Sequence, residues 1–176
     1  MTRLRLFALA AAAALALALS LAAATPSLNL SGYEFLLGTS CTFPGGQTGK
    51  CGVEFGGWTG GSGQNADGWT PFPGDRKGLW EATVNYIGSP NFGDSVQVVS
   101  GTFDVLFKNR KTISGTVTGG TVEWPAEGQP SACGVNVATV YLNLSSGAGG
   151  PTTFQGCLHD LPAGTVIPPK IWGTLQ

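Results

Sequence analysis

Few side chains in this sequence could do covalent chemistry. There is one histidine, His159, and it is followed by Asp160. A Ser–His–Asp triad would have to use that pair, but no serine sits in a G-x-S-x-G turn. His159-Asp160 is therefore read as a strand end facing water. Two-carboxylate chemistry needs only two acids brought together from any pair of strands. Glu81, Asp104 and Glu123 fall on the polar faces of expected strands. They would do such work only if those faces pointed into a barrel, where burial would raise their pKa values. The expectation is that they face solvent. Asn65, Asp67 and Asp75 carry some flavour of a calcium loop. An EF-hand, however, needs an acid at its first position and Glu at its twelfth, and here those positions are Gly63 and Gly74. An Asx-Gly turn accounts for the segment, and no metal or other cofactor is expected.

The four cysteines, Cys41, Cys51, Cys133 and Cys157, lack the close C-x-x-C spacing and histidine partners of a zinc site. Read as two disulfides, they allow three connectivities. The local one, Cys41–Cys51 with Cys133–Cys157, is expected. Pro44-Gly45-Gly46 reverses the chain between the first two. Cys133 precedes one strand and Cys157 ends the next, so antiparallel pairing would bring them together and pin two strand ends across the sheet. Cys41–Cys51 would close a surface loop.

Aromatic residues remain. Trp58, Trp69 and Phe72 fall in Gly56–Gly78, the longest irregular stretch, which is rich in glycine and poor in charge. Long loops in compact domains tend to be functional. Exposed rings on a β scaffold stack on sugar faces or fill a partner's pocket. Trp80, Trp124 and Trp172 sit where strand alternation would bury them.

The elements that must position these residues begin after residue 24. Arg3 and Arg5 form a basic start, Leu6 to Leu21 is an apolar run broken only by Ser20, and Ala22-Ala23-Ala24 offers an A-x-A cleavage site. This is the pattern of a secretory signal peptide over residues 1–24. The apolar run is shorter than the roughly 20 residues a spanning helix needs. The mature chain, residues 25–176, is expected as one domain, secreted or held in the periplasm or at the cell surface, with no membrane insertion once the signal is removed. Nine Lys and Arg, less Arg3 and Arg5, leave seven against ten Asp and Glu, a net charge near −3. That balance argues against nucleic acid and against anionic membranes as partners. Charged residues make up only 11% of the chain, so Thr, Ser, Asn and Gln must supply the polar surface.

The 28 glycines and 11 prolines read as punctuation between short strands. Leu79–Ile87 is a clean period-two strand: Trp80, Ala82, Val84 and Tyr86 share one face and Glu81, Thr83 and Asn85 the other. Val96–Phe107 follows, with Val99, Gly101, Phe103, Val105 and Phe107 on one face. Leu28–Leu37, Gly52–Phe55, Thr112–Thr118, Thr121–Trp124, Val135–Leu144, Thr152–Leu158 and Lys170–Leu175 complete the set. Gly119-Gly120 is a tight turn or a bulge. The fold class is all-β: about eight or nine antiparallel strands, first an up-and-down, lipocalin-like barrel and second a sandwich. The functional expectation is a non-enzymatic domain that binds a carbohydrate or small ligand through the aromatic loop at 56–78. A self-associating surface-layer unit is one alternative. A barrel hydrolase or isomerase with inward carboxylates is another.

Overall fold

A computed structural model describes residues 27–36, 39–59, 78–107, 111–159 and 169–176. The leader expected over 1–24 lies outside the described residues. Among the described residues eleven strands are formed: β1 (Leu28–Leu36), β2 (Thr39–Thr42), β3 (Thr48–Thr59), β4 (Gly78–Ile87), β5 (Ser95–Phe107), β6 (Thr112–Glu123), β7 (Pro130–Ser131), β8 (Gly134–Val135), β9 (Ala138–Ser146), β10 (Thr153–His159) and β11 (Lys170–Leu175). Eight of them, β1, β3, β4, β5, β6, β9, β10 and β11, pair antiparallel in that order, and β1 pairs with both β11 and β3. The sheet therefore closes on itself as an up-and-down barrel. β2 is a ninth strand held only by β3, and β7–β8 is a separate two-stranded ribbon.

Closure fixes the stagger. One row of cross-strand partners runs Leu28, Leu175, Phe154, Leu142, Gly120, Val98, Tyr86 and Lys50. It begins at the first residue of β1 and, after a full circuit, arrives on β3 beyond Glu54, the partner of Leu36 at the far end of β1. Strands so staggered must tilt against the barrel axis. Bulges supply the necessary bend. In β3 the register shifts between Lys50 and Val53. Gly52 takes a φ of +70° there, in the left-handed region that suits glycine. Its N–H donates to Asn85 Oδ1 at 2.8 Å, and Asn85 Nδ2 donates to Ser100 Oγ at 2.8 Å, so one amide ties three strands together at the bulge.

Bulges also change which residues face inward. The β4–β5 register slips beside Asn85 and Tyr86. Val96 and Val98 are buried and Val99 is only half-buried, which corrects the expectation that Val99 shares the inner face with Phe103 and Val105. The same happens at Gly119-Gly120: Thr112–Thr118 and Thr121–Trp124 are one strand, β6, whose pairing with β9 shifts between Val117 and Gly119. The glycine pair is a bulge, not a turn.

The interior is layered, and bulky rings lie where the neighbouring strand has no side chain. In the row Gly32, Gly57, Trp80, Val105, the Trp80 indole extends across both glycines. A Cβ on Gly32 would stand 2.9 Å from Trp80 Cζ2. The indole Nε1 donates to the Ser31 carbonyl at 2.8 Å in a buried hydrogen bond. In the row Phe55, Ala82, Phe103, Gly115, a Cβ on Gly115 would lie 2.6 Å from Phe103 Cε1. The Phe154 ring covers the pair Gly156 and Gly173, whose Cβ atoms would come within 2.7 and 2.6 Å of its Cζ. Glycine costs a strand roughly 0.5–1 kcal/mol against alanine. Burying an aromatic ring returns roughly 1.5–3 kcal/mol, so the exchange favours the barrel.

Both disulfides have the expected partners, with Cα–Cα separations of 5.9 Å for Cys41–Cys51 and 5.7 Å for Cys133–Cys157. Cys41 lies on β2 and Cys51 on β3, so that bond ties two paired strands. Cys133 is not at the start of β9 but in the β7–β8 ribbon, part of the connection from β6 to β9. Cys157 lies within β10 between Thr139 of β9 and Trp172 of β11. Phe154 and Leu158 point inward, so parity puts Cys157 outside, and the disulfide staples the connection onto the barrel wall. Beneath the connection, Val137 is buried outside the main core. Ser131 Oγ donates to Val137 O at 2.6 Å and accepts from Cys133 N at 2.9 Å.

Two outcomes test this packing. Trp80→Phe removes the indole donor while keeping a ring, and should lower stability in urea unfolding by about 1–3 kcal/mol, the cost of an unmatched buried polar group. Replacing Cys133 and Cys157 by Ser should cost about 3.5 kcal/mol, and replacing Cys41 and Cys51 about 2.7 kcal/mol, from the closed-loop lengths. Melting of the two double variants ranks them.

Candidate functional site

Inward positions on the barrel strands carry mostly apolar side chains or glycine: Leu30, Val53, Phe55, Trp80, Val84, Val98, Phe103, Val105, Val117, Val140, Leu142, Leu144, Phe154, Leu158, Ile171 and Leu175. Glu34, half-buried and in register with inward Phe55, is an exception. Outward positions on β5, β6 and β9 read Gln97, Ser100, Thr102, Asp104, then Thr112, Ser114, Thr116, Thr118, Thr121, Glu123, then Tyr141, Asn143, Ser145, all exposed. Apolar inside and polar outside is the reverse of a membrane-spanning barrel. Glu81, Asp104 and Glu123 are exposed on the outer wall. His159 is half-buried at the end of β10, where its partner across the ladder is Lys170. Asp160 lies outside the described residues, as do Asn65, Asp67 and Asp75. Among the described residues, no three of His, Cys, Asp and Glu gather closely enough to hold a metal ion.

Among the described residues, the exposed large hydrophobic side chains are Leu79, Leu106, Val135 and Tyr141, and the first two share one outer row. Cys157, Trp172, Ser31, Trp58, Leu79, Leu106 and Thr112 are successive cross-strand partners on β10, β11, β1, β3, β4, β5 and β6. Leu79 is 62% exposed and Leu106 48%, and they stand directly opposite one another. Trp172 lies between inward Ile171 and Leu175 in parity, so it is on the outside and half-buried. This corrects the expectation that alternation buries it in the core. Ser31, in the same outer row, is wholly buried. Trp80 and Trp124 are buried as expected.

Trp58 belongs to this row. The expected loop at 56–78 is shorter than the sequence suggests, because β3 runs on to Thr59 and carries Trp58 in register with Ser31 and Leu79. β3 is glycine-rich here because a Cβ on Gly57 would run into the Ser31 carbonyl of β1, and that close approach of two strands imitates a loop composition. Trp69 and Phe72 lie outside the described residues.

Two residues along each strand, the next outer row is polar: Tyr33, Gly56, Glu81, Asp104 and Ser114. Glu81 and Asp104 are directly opposed like charges. Such pairs destabilise a sheet, so this one is a standing cost that a hydrogen-bond donor or cation laid across it would relieve. Leu79 and Leu106 thus border a pair of carboxylate acceptors, an apolar strip beside a row of acceptors. Sequence reasoning missed Leu79 and Leu106 as surface residues. The signal was present in their parity, since both alternate with inward Trp80 and Val105.

Asp104→Asn should raise Tm by about 1–3 °C through loss of the like-charge pair, and the gain should shrink as salt is added. Thermal melts at low and high ionic strength check both.

No family model matches the chain, and no curated protein or solved structure matches it either.

Proposed function

We propose that this protein is a non-enzymatic binding domain whose ligand, a carbohydrate, lies on the outer wall across β3, β4 and β5. The observation that supports the reading is the register of Trp58 with the exposed Leu79–Leu106 pair, set beside the acceptor row of Glu81, Asp104 and Ser114. A sugar presents an apolar C–H face and a rim of hydroxyl donors, and this pairing of rows offers a partner for each. The two disulfides agree with an oxidising extracytoplasmic compartment, where such ligands are met. The barrel-enzyme alternative has less support, because it needs two inward carboxylates: Glu81, Asp104 and Glu123 are exposed on the outer wall, and among the described strand residues Glu34 alone falls in an inward row.

The experiment is a titration of the mature protein with soluble polysaccharides, read by tryptophan fluorescence and calorimetry. Trp58→Ala and Leu106→Ser should each weaken binding about ten-fold or more, while Thr121→Ala on the far outer wall should leave it unchanged. Equal binding by Trp58→Ala and wild type would reject the site. Concentration-dependent assembly in sedimentation, without any polysaccharide binding, would favour the surface-layer alternative.

A further inference from the structure

We infer that the outer-wall site takes a cationic sugar, a polysaccharide of glucosamine units with free amino groups; the inference rests on the carbohydrate reading above and names the class within it. Glu81 of β4 and Asp104 of β5 stand directly opposite one another, and both are exposed. Glu54 of β3, also exposed, lies one outer row further on, opposite Thr83 and diagonal to Glu81. In the row of Glu81 and the outer rows on either side of it, β3 to β6 carry no Lys, Arg or His. Three carboxylates therefore share one wall with no basic side chain set among them.

Carboxylates alone select no ligand. Their register with the exposed leucines does. Leu79 and Leu106 are each two residues along the strand from Glu81 and Asp104, on the same outer face. That places the two rows about 6.8 Å apart. A pyranose ring seated with its C–H face on the leucines turns its edge substituents toward the carboxylates. A hydroxyl there donates to one of them but leaves both charges opposed. An ammonium group carries three donors. It can bridge Glu81 and Asp104, and it removes the like-charge repulsion that destabilises the sheet. A metal ion is a poorer match, because among the described residues no three of His, Cys, Asp and Glu come close enough to hold one. Sulfated and uronic polysaccharides are repelled by the same wall.

Three soluble oligosaccharides of equal length separate the classes: a glucosamine oligomer, its N-acetylated counterpart, and a glucose oligomer with the same linkage. They share a backbone and ring faces and differ in the substituent on the second ring carbon. Calorimetry at low salt should show the glucosamine oligomer binding about five-fold tighter than the other two, the reach of one exposed ion pair. The margin should shrink as salt is added. Asp104→Asn and Glu81→Gln should each remove most of it. Glu123→Gln, elsewhere on the outer wall, should leave it intact, which separates local pairing from attraction to the protein's net charge. Equal affinity for the three oligomers would overturn the amino-sugar assignment, as would a margin that Glu123→Gln reduces as much as Asp104→Asn does. In either case the carbohydrate site itself stands if Leu106→Ser still weakens all three. Binding of none of the three would overturn both readings.

Discussion

Closure of the barrel through β1 is the constraint on which the other features depend. β1 must pair with β11 on one side and β3 on the other, and an eight-stranded barrel leaves an interior only about as wide as its side chains. Large residues can enter that space only where a neighbour gives way. Trp80 is the largest of them. It fits because Gly57 and Gly32 follow it in the same row, and its indole reaches over both strands to the Ser31 carbonyl. The hydrogen bond thus joins β4 to β1 across the strand between them, at the seam where the sheet meets itself. Phe103 over Gly115 and Phe154 over Gly156 and Gly173 repeat the solution elsewhere.

Filling the interior this way separates the molecule's chemistry by face. What points inward is mostly apolar, with Glu34 in the row of Phe55 as an exception. What points outward is polar and short of charge, so the few apolar side chains there stand out. Leu79 and Leu106 gain nothing from the core and cost solvation where they are. They stand in the row of Trp58, beside opposed Glu81 and Asp104, and the proposed ligand, with an apolar face and a donor rim, would offset both costs.

Much of this was legible in the sequence, and the failures share a cause. Leu79–Ile87 could be assigned residue by residue because β4 has no bulge of its own: Trp80 and Val84 are buried and Glu81 exposed, as period two requires. The disulfide partners came out as expected although one reason did not hold: Cys133 reaches Cys157 from the β7–β8 ribbon and not from the start of β9. Parity was lost wherever a bulge added a residue, as at Val99 and at Gly119-Gly120, since a one-residue shift exchanges the faces. Trp172 was expected inside on strand alternation, but parity against buried Ile171 and Leu175 puts it outside. Gly56-Gly57 looked like loop because the need for glycine at Gly57 is set by the β1 backbone at Ser31 and Gly32, far away in the sequence. The β7–β8 ribbon was invisible for a similar reason: what holds it is a disulfide to β10, not a pattern of its own.

The central claim is that one strand, β1, is paired on both edges and so closes the sheet. Amide and α-proton nuclear Overhauser effects across β1 measure this directly. The account predicts cross-strand effects from Ser31 and its neighbours Leu30 and Gly32 to both the Trp58 region of β3 and the Trp172 region of β11, with slow hydrogen exchange along the whole strand. Effects to β11 alone, with fast-exchanging amides on the edge facing β3, would mean an open sheet and would contradict it.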